Sequence, residues 1–381
     1  MSCYQSPWSS DELQMFRSKV REFIQREFAP HQARWREQHG PDADAWTKAG
    51  ALGLLLSDVP AQYGGGGGTF AHEAVVVEEL ARAGVHFASF IQNSVAQYIL
   101  AYGCEAQKHS WLPRMARGEL VAAIAMSEPG AGSDLQGIKT TARRDGDQYV
   151  INGTKTFIIN GSHASIICLA VKTDVNAAGP KGISLIVVEA KDLSGYRVGR
   201  PLDTIGMHAQ DTCELFFDDV RVPASNLLGP CEGRGVFQIM EKMSYERLAI
   251  GVSAVATMER AVAITTKYVK QREAFGKPLI DFQNTRFTLA ECTTEAHIAR
   301  VFLDHCIERF IAGRLDEFTT AMGKYWLTDC ECRIVDECVQ LHGGYGYMAE
   351  YPIARMWTDS RVHRIYAGTN EILKELIASS L

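Results

Sequence analysis

The spacing of apolar residues changes twice along the chain, and this change restricts its fold more than any other feature. From Ser9 to about Leu120, apolar residues recur three to five positions apart, as in amphipathic helices. Between about Val121 and Val222 they gather in short Ile- and Val-rich segments separated by Asn-Gly and Asp-Gly turns, which is typical of strands. The chain then returns to long helical patterns. Because strands and helices do not alternate, we do not expect a βαβ Rossmann core.

These three regions predict an α+β protein that is mostly helical. We expect an N-terminal helical domain at residues 1–120, a middle antiparallel β domain at 121–232 and a C-terminal helical domain at 233–381. The length of 381 residues fits two or three domains of about 150 residues each.

Charge and composition exclude several classes of partner. The net charge of −6 disfavours nucleic acids and anionic membranes, which bind basic surfaces. No apolar run approaches about 18 residues, so we expect no stable membrane insertion. The first residues lack signal- and transit-peptide features, and the ten cysteines are scattered, which predicts a cytoplasmic, bacterial protein. Cys330, Cys332 and Cys338 lack the histidines of a zinc site, so we expect no metal.

The pentaglycine Gly64–Gly68 invites comparison with a phosphate-binding loop. It lacks a following Lys-Ser/Thr pair and the strand-loop-helix context of such a loop. We therefore interpret it as a flexible surface turn.

Two stretches suggest contact with a planar or phosphorylated ligand. "SEPGAGSD" (Ser127–Asp134) follows a predicted strand, and its small residues let backbone amides approach a ligand, although a tight β-turn explains it equally well. In "YVKQREAFGKPLIDFQ", Arg272 and Phe275 have the chemistry to hold a diphosphate and stack an adenine. Alone, that stretch is more simply a charged helix end beside a core phenylalanine.

Two further stretches lie near the C-terminus. In "CVQLHGGYGYMAEYP", Gln340 precedes Gly343 and Gly344, a pair that permits close approach of a nucleotide or simply caps a helix. In "RIYAGTNEILKELIA", Thr369 is placed to cap the last helix, whose free N–H groups suit an anion.

Together and in this order, these stretches resemble the acyl-CoA dehydrogenase family over essentially the whole chain. "SEPGAGSDLQGIKT", "QREAFGKPL", "LHGGYGYMAEYPIAR" and "IYAGTNEILKELIA" look most like the long-chain branch. The resemblance implies a C-terminal four-helix bundle and a homotetramer, a dimer of dimers, with one FAD per subunit. It also implies that the adenosine end of FAD is shared across a subunit interface.

The resemblance also implies roles for individual residues. The positions matched to the flavin ring are Met126, Ser127, Phe157 and Ile159. The positions matched to the diphosphate and adenosine are Arg272, Phe275, Gln283, Gln340, Gly343 and Gly344, with further cofactor contacts at Thr369, Asn370 and Glu371. Ser133 and Arg247 match residues that contact the CoA arm of the substrate.

The position of the catalytic base needs a separate argument. Many family members carry Glu where this chain has Ala367, whose backbone N–H can still polarise the thioester but whose side chain accepts no proton. In the long-chain and isovaleryl branches the carboxylate comes from a Glu-Arg-Leu setting, which matches Glu246. From the residues alone, Glu246 is instead paired with Arg247 or solvated, and Glu371 is explained by the helix dipole.

The resemblance implies FAD-dependent α,β-dehydrogenation of a medium-to-long or branched acyl-CoA, with electrons passed to an electron-transfer flavoprotein, as in fatty acid β-oxidation. The alternatives are a short branched-chain, isovaleryl-like dehydrogenase, an oxygen-using oxidase or monooxygenase, and a flavin- or CoA-binding protein without turnover. Ile159 departs from the family, which usually has Ser or Thr facing flavin N5, and this puts the rate and redox tuning in question.

Overall fold

The computed structural model describes residues 4–381, and the N-terminal part of the chain folds as helices. α1 begins after Ser10, whose side chain accepts a hydrogen bond from the Leu13 N–H. It continues through a π-helical turn, Ile24–Phe28, to Pro30. The six N-terminal helices are α1 (Asp11–Phe23), α2 (Gln32–Glu37), α3 (Ala43–Leu52), α4 (Phe70–Ala83), α5 (Ser89–Tyr102) and α6 (Glu105–Ala116).

A seven-stranded sheet follows. Its strands are β1 (Ala122–Ala125), β2 (Thr141–Asp145), β3 (Gln148–Ile159), β4 (Ile166–Lys172), β5 (Ile183–Glu189), β6 (Tyr196–Pro201) and β7 (Thr212–Pro223). They are ordered β1-β4-β2-β3-β7-β6, and β5 pairs with β4.

The sheet is mixed, not wholly antiparallel as the sequence predicts. β1 pairs in parallel with β4, with Ala122 opposite Ile166, and β2 meets β4 in parallel at Thr141 and Lys172. The other pairs are antiparallel. Side-chain alternation reports which face of a strand is buried but is the same for either strand direction, so the sequence pattern did not distinguish them.

The C-terminal part is again helical. Its helices are α7 (Gly235–Gln271), α8 (Gln283–Ile311), α9 (Glu317–His342), α10 (Pro352–Ser360) and α11 (Asn370–Ala378), with a small hairpin of β8 (Glu273–Ala274) and β9 (Lys277–Pro278) between α7 and α8. The three long helices pack together, and α10 and α11 pack against α9. The expected mostly helical protein with a central β region is therefore confirmed.

Helix α7 is long and apolar enough to cross a membrane by length and composition, contrary to the expectation that no such segment exists. However, 61% of its most apolar window is buried inside the protein. Val252, Val255 and Met258 lie in one core cluster with Phe70 and Ala74 of α4. The apolar character of α7 is therefore explained by its central place in the core.

The pentaglycine is not the loose turn that its composition predicts. The N–H groups of Gly66, Gly67 and Gly68 donate to the carbonyls of Leu56, Val59 and Ser57. A Cβ at Gly65 would lie 2.2 Å from the Val59 carbonyl oxygen, so only glycine fits that close approach. The segment is a packed backbone element.

Candidate active site

Glu246 lies on α7 and is held by a tyrosine from the N-terminal helices. The Tyr98 hydroxyl on α5 donates to Glu246 Oε1 at 3.0 Å, and Glu246 is 9% exposed. Burial raises the pKa of Glu246 to about 7, while the Tyr98 hydrogen bond and the nearby Arg247 charge act in the opposite direction. Glu246 makes no ion pair with Arg247 and is not solvated, so neither alternative drawn from the residues describes it. The sequence analysis missed Tyr98, because nothing in the sequence indicates that α5 crosses α7 here.

The turn at Ala367 has an unusual backbone. Ala367 has φ +52° and Gly368 has φ +89°, both in the left-handed region. The Ala367 carbonyl accepts from Arg247 Nε at 3.2 Å, and the Gly368 carbonyl accepts from Lys324 Nζ at 2.8 Å. Within residues 4–381 the Ala367 N–H has no acceptor. Two cationic side chains thus fix both carbonyls and leave one N–H free to donate.

A buried lysine and asparagine anchor this turn to α9. Lys324 Nζ also donates to Asn370 Oδ1 at 3.1 Å, and burial followed by the Arg247 charge lowers the pKa of Lys324 to about 7. Asn370 donates in turn to the Tyr325 carbonyl and to Asp329 Oδ1. Asn370 was matched to a cofactor contact, and in this structure its side chain is hydrogen-bonded inside the protein. Lys324 was missed, although a lysine among apolar residues in "AMGKYWL" is a signal for a buried cation.

The start of α11 has the expected cap. Thr369 Oγ1 accepts from the Ile372 N–H at 3.4 Å. Glu371 is exposed in the first turn, and hydrogen bonds from its own N–H and from Thr369 lower its pKa. Its role is therefore explained by the helix N-terminus, as the sequence predicts.

The loop after β1 is tied to the end of β3. Lys155 Nζ, fully buried, donates to the Met126 carbonyl at 3.0 Å and to Glu128 Oε1 at 2.8 Å. The Thr156 N–H donates to the Ser127 carbonyl at 3.0 Å. The sequence analysis missed the Lys155–Glu128 pair, since the two residues are far apart in the chain and only the fold brings them together.

Phe157 and Ile159 follow on the same strand. Phe157 has φ +59°, an unfavourable backbone conformation for a non-glycine residue, and its aromatic side chain is 67% exposed. Ile159 is half-buried opposite Thr212, just after a bulge in the β3–β7 ladder. Ser133 is exposed on the loop after β1.

A second group of predicted cofactor residues lies around the C-terminal end of α7, remote from Glu246. Arg272 ends α7 and lies over the Tyr345 ring at 5.9 Å. Phe275 is 97% exposed at the tip of the β8–β9 hairpin with φ +52°. The remaining members are exposed around the end of α9: Gln283, Gln340, Gly343 and Gly344. A Cβ at either glycine would meet nothing within 4 Å, so packing does not require them, but Gly343 caps α9 with φ +56°, a conformation that favours glycine.

These positions have the chemistry to hold FAD. Exposed aromatics at Phe157 and Phe275 suit ring stacking, and the open glycines suit backbone approach by a nucleotide. However, α7 has 37 residues, which is about 55 Å, and about 38 Å of helical rise separates Arg247 from Arg272. Within one chain, the group around Arg272 therefore lies far from the turn at Ala367, which Arg247 contacts.

Sequence comparison identifies the family. Profiles of the N-terminal, middle and C-terminal domains of acyl-CoA dehydrogenase match residues 10–119, 123–220 and 233–381. The mitochondrial long-chain specific acyl-CoA dehydrogenase of Sus scrofa is 44% identical over 98% of this chain and 87% of its own. The mitochondrial isovaleryl-CoA dehydrogenase of Oryza sativa is 34% identical over 97% of this chain and 91% of its own.

Comparison with solved structures identifies the same family. An acyl-CoA dehydrogenase from Geobacillus kaustophilus matches with a TM-score of 0.96 and 46% identity, covering 99% of both chains. A glutaryl-CoA dehydrogenase from Mycobacterium smegmatis in complex with FADH2 matches at 0.90 and 28%, covering 98% and 95%. A chain in a structure of the electron transferring flavoprotein of Acidaminococcus fermentans matches at 0.91 and 32%, covering 100% and 99%. The chain belongs to the acyl-CoA dehydrogenase family, whose members are oxidoreductases.

Proposed function

We propose that this protein is an FAD-dependent acyl-CoA dehydrogenase that forms a trans double bond between the α and β carbons of a medium-to-long or branched acyl-CoA. The observation that carries the proposal is the arrangement of a buried carboxylate, Glu246, beside a turn that presents the free N–H of Ala367. Arg247, the neighbour of Glu246, fixes that turn. A base and an electrophilic donor are the two protein groups that α-proton removal requires.

Three residues have separate roles in the reaction. The Ala367 N–H donates to the thioester oxygen and stabilises the negative charge that develops there when the α-proton leaves. Glu246 takes that proton on its carboxylate, with a pKa of about 7 that suits a base at neutral pH. Tyr98 orients the carboxylate through its hydroxyl.

The chemistry supplied by FAD, when bound, is acceptance of the hydride that leaves the β carbon. Residues around Met126, Ser127, Phe157 and Ile159 would hold its ring, and the group around Arg272, Phe275 and Gly343 of a second copy would hold its adenosine end. Because the residues that would hold one FAD are divided between two copies of the chain, the proposal requires an assembly of at least two chains. We assign a homotetramer. The electrons would pass to an electron-transfer flavoprotein.

Two observations favour a substrate with a long acyl chain over one with a short branched acyl chain. Helix α7 carries a cavity of about 330 Å³ beyond Glu246, lined by Ala249, Ile250 and Phe90 among others. A short branched acyl group would leave most of this volume unfilled. The similarity to the pig long-chain enzyme, at 44%, also exceeds that to the rice isovaleryl enzyme, at 34%.

A panel of acyl-CoA thioesters tests the proposal. Each thioester is mixed anaerobically with the purified, FAD-loaded protein, and bleaching of the flavin is followed by stopped-flow absorbance. We expect bleaching with medium-to-long saturated chains and slow or no bleaching with isovaleryl-CoA. A protein that is not reduced by any saturated acyl-CoA does not have this function.

A further inference from the structure

The cavity beyond Glu246 follows one side of α7. The α7 residues that line it are Ala249, Ile250, Ser253, Thr257 and Arg260. Starting from Glu246, steps of four, three, four and three residues reach Ile250, Ser253, Thr257 and Arg260, so these side chains form a single stripe. The cavity therefore runs along α7 from Ala249, three residues beyond the candidate base, to Arg260.

The stripe changes from apolar to cationic along its length. Near Glu246 the lining is Ile250 with the aromatic rings of Phe90 and Tyr366, which meet edge to face at 6.3 Å. Ser253 and Thr257 then present hydroxyl groups. A cavity meant only for a hydrocarbon tail would be apolar to its end.

Arg260 has no anion of its own. Its guanidinium lies against the backbone of Gly84, where a Cβ would be 2.5 Å away. Among residues 4–381 it has no hydrogen-bond or salt-bridge partner, and burial followed by the charge of Arg355 lowers its pKa. A partly buried cation without a counter-ion is costly unless a ligand supplies one.

The acidic groups of the cavity are already engaged. Asp359 accepts from the Met207 N–H at 2.5 Å and lies 3.3 Å from His86 Nε2. Glu331 Oε2 lies 2.8 Å from His363 Nδ1. Arg36 and Arg355 add positive charge to the same lining. The charge of Asp359 is near enough to oppose the lowering of the Arg260 pKa, but within residues 4–381 no acidic side chain forms a salt bridge with Arg260.

Further polar atoms at this end of the cavity lack partners within residues 4–381. They are Gln32 Nε2, His86 Nδ1, Ser89 Oγ, Glu331 Oε1 and His363 Nε2, all on residues of the lining. Buried polar atoms are nearly always hydrogen-bonded in folded proteins. Here they line the same cavity as Arg260. Gln32 Nε2 and Ser89 Oγ are able to donate to an oxygen ligand in any protonation state, whereas His86 Nδ1 and His363 Nε2 donate only when the imidazole is protonated, because the other ring nitrogen faces a carboxylate.

We propose that the cavity accepts acyl-CoA chains that carry a carboxylate at the end remote from the thioester, and that Arg260 binds this carboxylate. A guanidinium pairs with a carboxylate through two parallel hydrogen bonds, and the nearby Gln32 amide supplies a further donor. The inference rests on the proposed function, because it assigns the other end of that enzyme's substrate.

The distance along α7 between Glu246 and Arg260 sets the length of the acyl chain that fits. About 21 Å of helical rise separates Glu246 from Arg260, and the arginine side chain leans back towards Glu246. The distance that remains suits a chain on the order of a dozen carbons. The preference for a terminal carboxylate should therefore peak near this length and vanish for chains too short to reach Arg260.

The experiment compares dodecanoyl-CoA with the monothioester of dodecanedioic acid and CoA, using the FAD-loaded enzyme and an artificial electron acceptor. We expect the wild-type kcat/KM to be about tenfold or more higher for the carboxylate-terminated chain. Arg260→Met should remove this preference and leave turnover of dodecanoyl-CoA nearly unchanged. Lys267→Met, at an exposed lysine further along α7, is the control and should keep the preference.

The results of this experiment distinguish a failure of the proposed function from a failure of the carboxylate site. If neither thioester is turned over, the proposed function is wrong. If dodecanoyl-CoA is the better wild-type substrate, or if Arg260→Met slows both thioesters equally, the carboxylate site is wrong. Should Arg260→Met fail to fold, a series of carboxylate-terminated chains with the wild-type enzyme decides: an optimum near the predicted length supports the site, and a monotonic trend overturns it.

Discussion

Arg247 Nε donates to the carbonyl of Ala367 at 3.2 Å, and this bond joins the helix that carries the candidate base to the turn that carries the candidate electrophile. Because Glu246 precedes Arg247 on α7, any shift of the turn relative to the helix changes the distance between base and donor. Lys324 supports the same turn from α9 through the Gly368 carbonyl. The two catalytic groups are thus positioned by a shared support, although neither contacts the other.

Replacing Glu246 by Gln removes the proton acceptor and keeps the size of the side chain. We expect acyl-CoA to bind while the rate of flavin reduction falls by about 10²–10⁴-fold, the usual contribution of a general base. Stopped-flow reduction under anaerobic conditions measures this rate. Reduction near the wild-type rate would show that the base lies elsewhere.

Two variants control that experiment. Glu375→Gln changes an exposed carboxylate one turn further along α11 and should leave the rate unaltered. Adding Ala367→Glu to Glu246→Gln should restore part of the rate, because position 367 offers a carboxylate to the same proton from a different backbone.

The rate of flavin reduction should depend on pH. Glu246 acts as a base only when ionised, so the rate should rise with pH around a midpoint near 7. The Tyr98 hydroxyl stabilises the ionised form, so Tyr98→Phe should raise the pKa of Glu246 and move the midpoint to higher pH. A midpoint that does not move would mean that Tyr98 does not contact the base.

Arg247→Met tests whether this residue acts on the turn or on the substrate. The resemblance matches Arg247 to a contact with the CoA arm, whereas its Nε bonds Ala367. If it supports the turn, the fall in kcat should persist with a thioester truncated to N-acetylcysteamine. If it binds the CoA arm, the variant and the wild type should turn over the truncated thioester equally.

Phe275→Ala should lower FAD retention. The ring is 97% exposed in the isolated chain and packs little against its own fold, so its loss should not destabilise the chain. If a second copy stacks it on adenine, the loss of about 1–3 kcal/mol of stacking should reduce the flavin content after gel filtration. Phe287→Ala, another exposed phenylalanine, is the matched control, and equal FAD loss in both variants would contradict the role of Phe275.

A buried carboxylate pair should make stability depend on pH. Burial, followed by the charge of Asp58, raises the pKa of Glu73 well above 4.5, so the folded state binds more protons than the unfolded state above that pH. Stability is therefore lost as pH rises towards the folded pKa. Glu73→Gln should raise Tm at pH 8 and much less at pH 5, as measured by calorimetry.

The Glu79→Gln variant should change the stability at pH 8 in the opposite direction. Hydrogen bonds and charges from Arg17 and Arg21 outweigh burial and lower the pKa of Glu79, so its ionised form stabilises the native state at pH 8. This variant should lower Tm at pH 8. A Glu73→Gln variant that also loses stability would show that the neighbouring carboxylates do not repel each other.

Much of the fold was predictable because it depends on local patterning. Apolar spacing located the helical and β regions, and Thr369 marked the start of the last helix through a cap that needs only neighbouring residues. Strand direction was not predictable, since β1 and β4 pair in parallel across intervening chain. The pentaglycine likewise looked loose until its contacts with the carbonyl of Val59 were known.

The sequence by itself determined the family, the helix–sheet–helix order and the choice of Glu246 as candidate base, because all three depend on residue types at fixed positions along the chain. The tertiary structure decided what surrounds that carboxylate: Tyr98 from α5, and the link from Arg247 to Ala367. It also decided that Arg260 faces a cavity without a counter-ion. Burial and hydrogen bonding between distant segments are products of packing, and these set a pKa or leave a charge unpaired, so no local pattern encodes them.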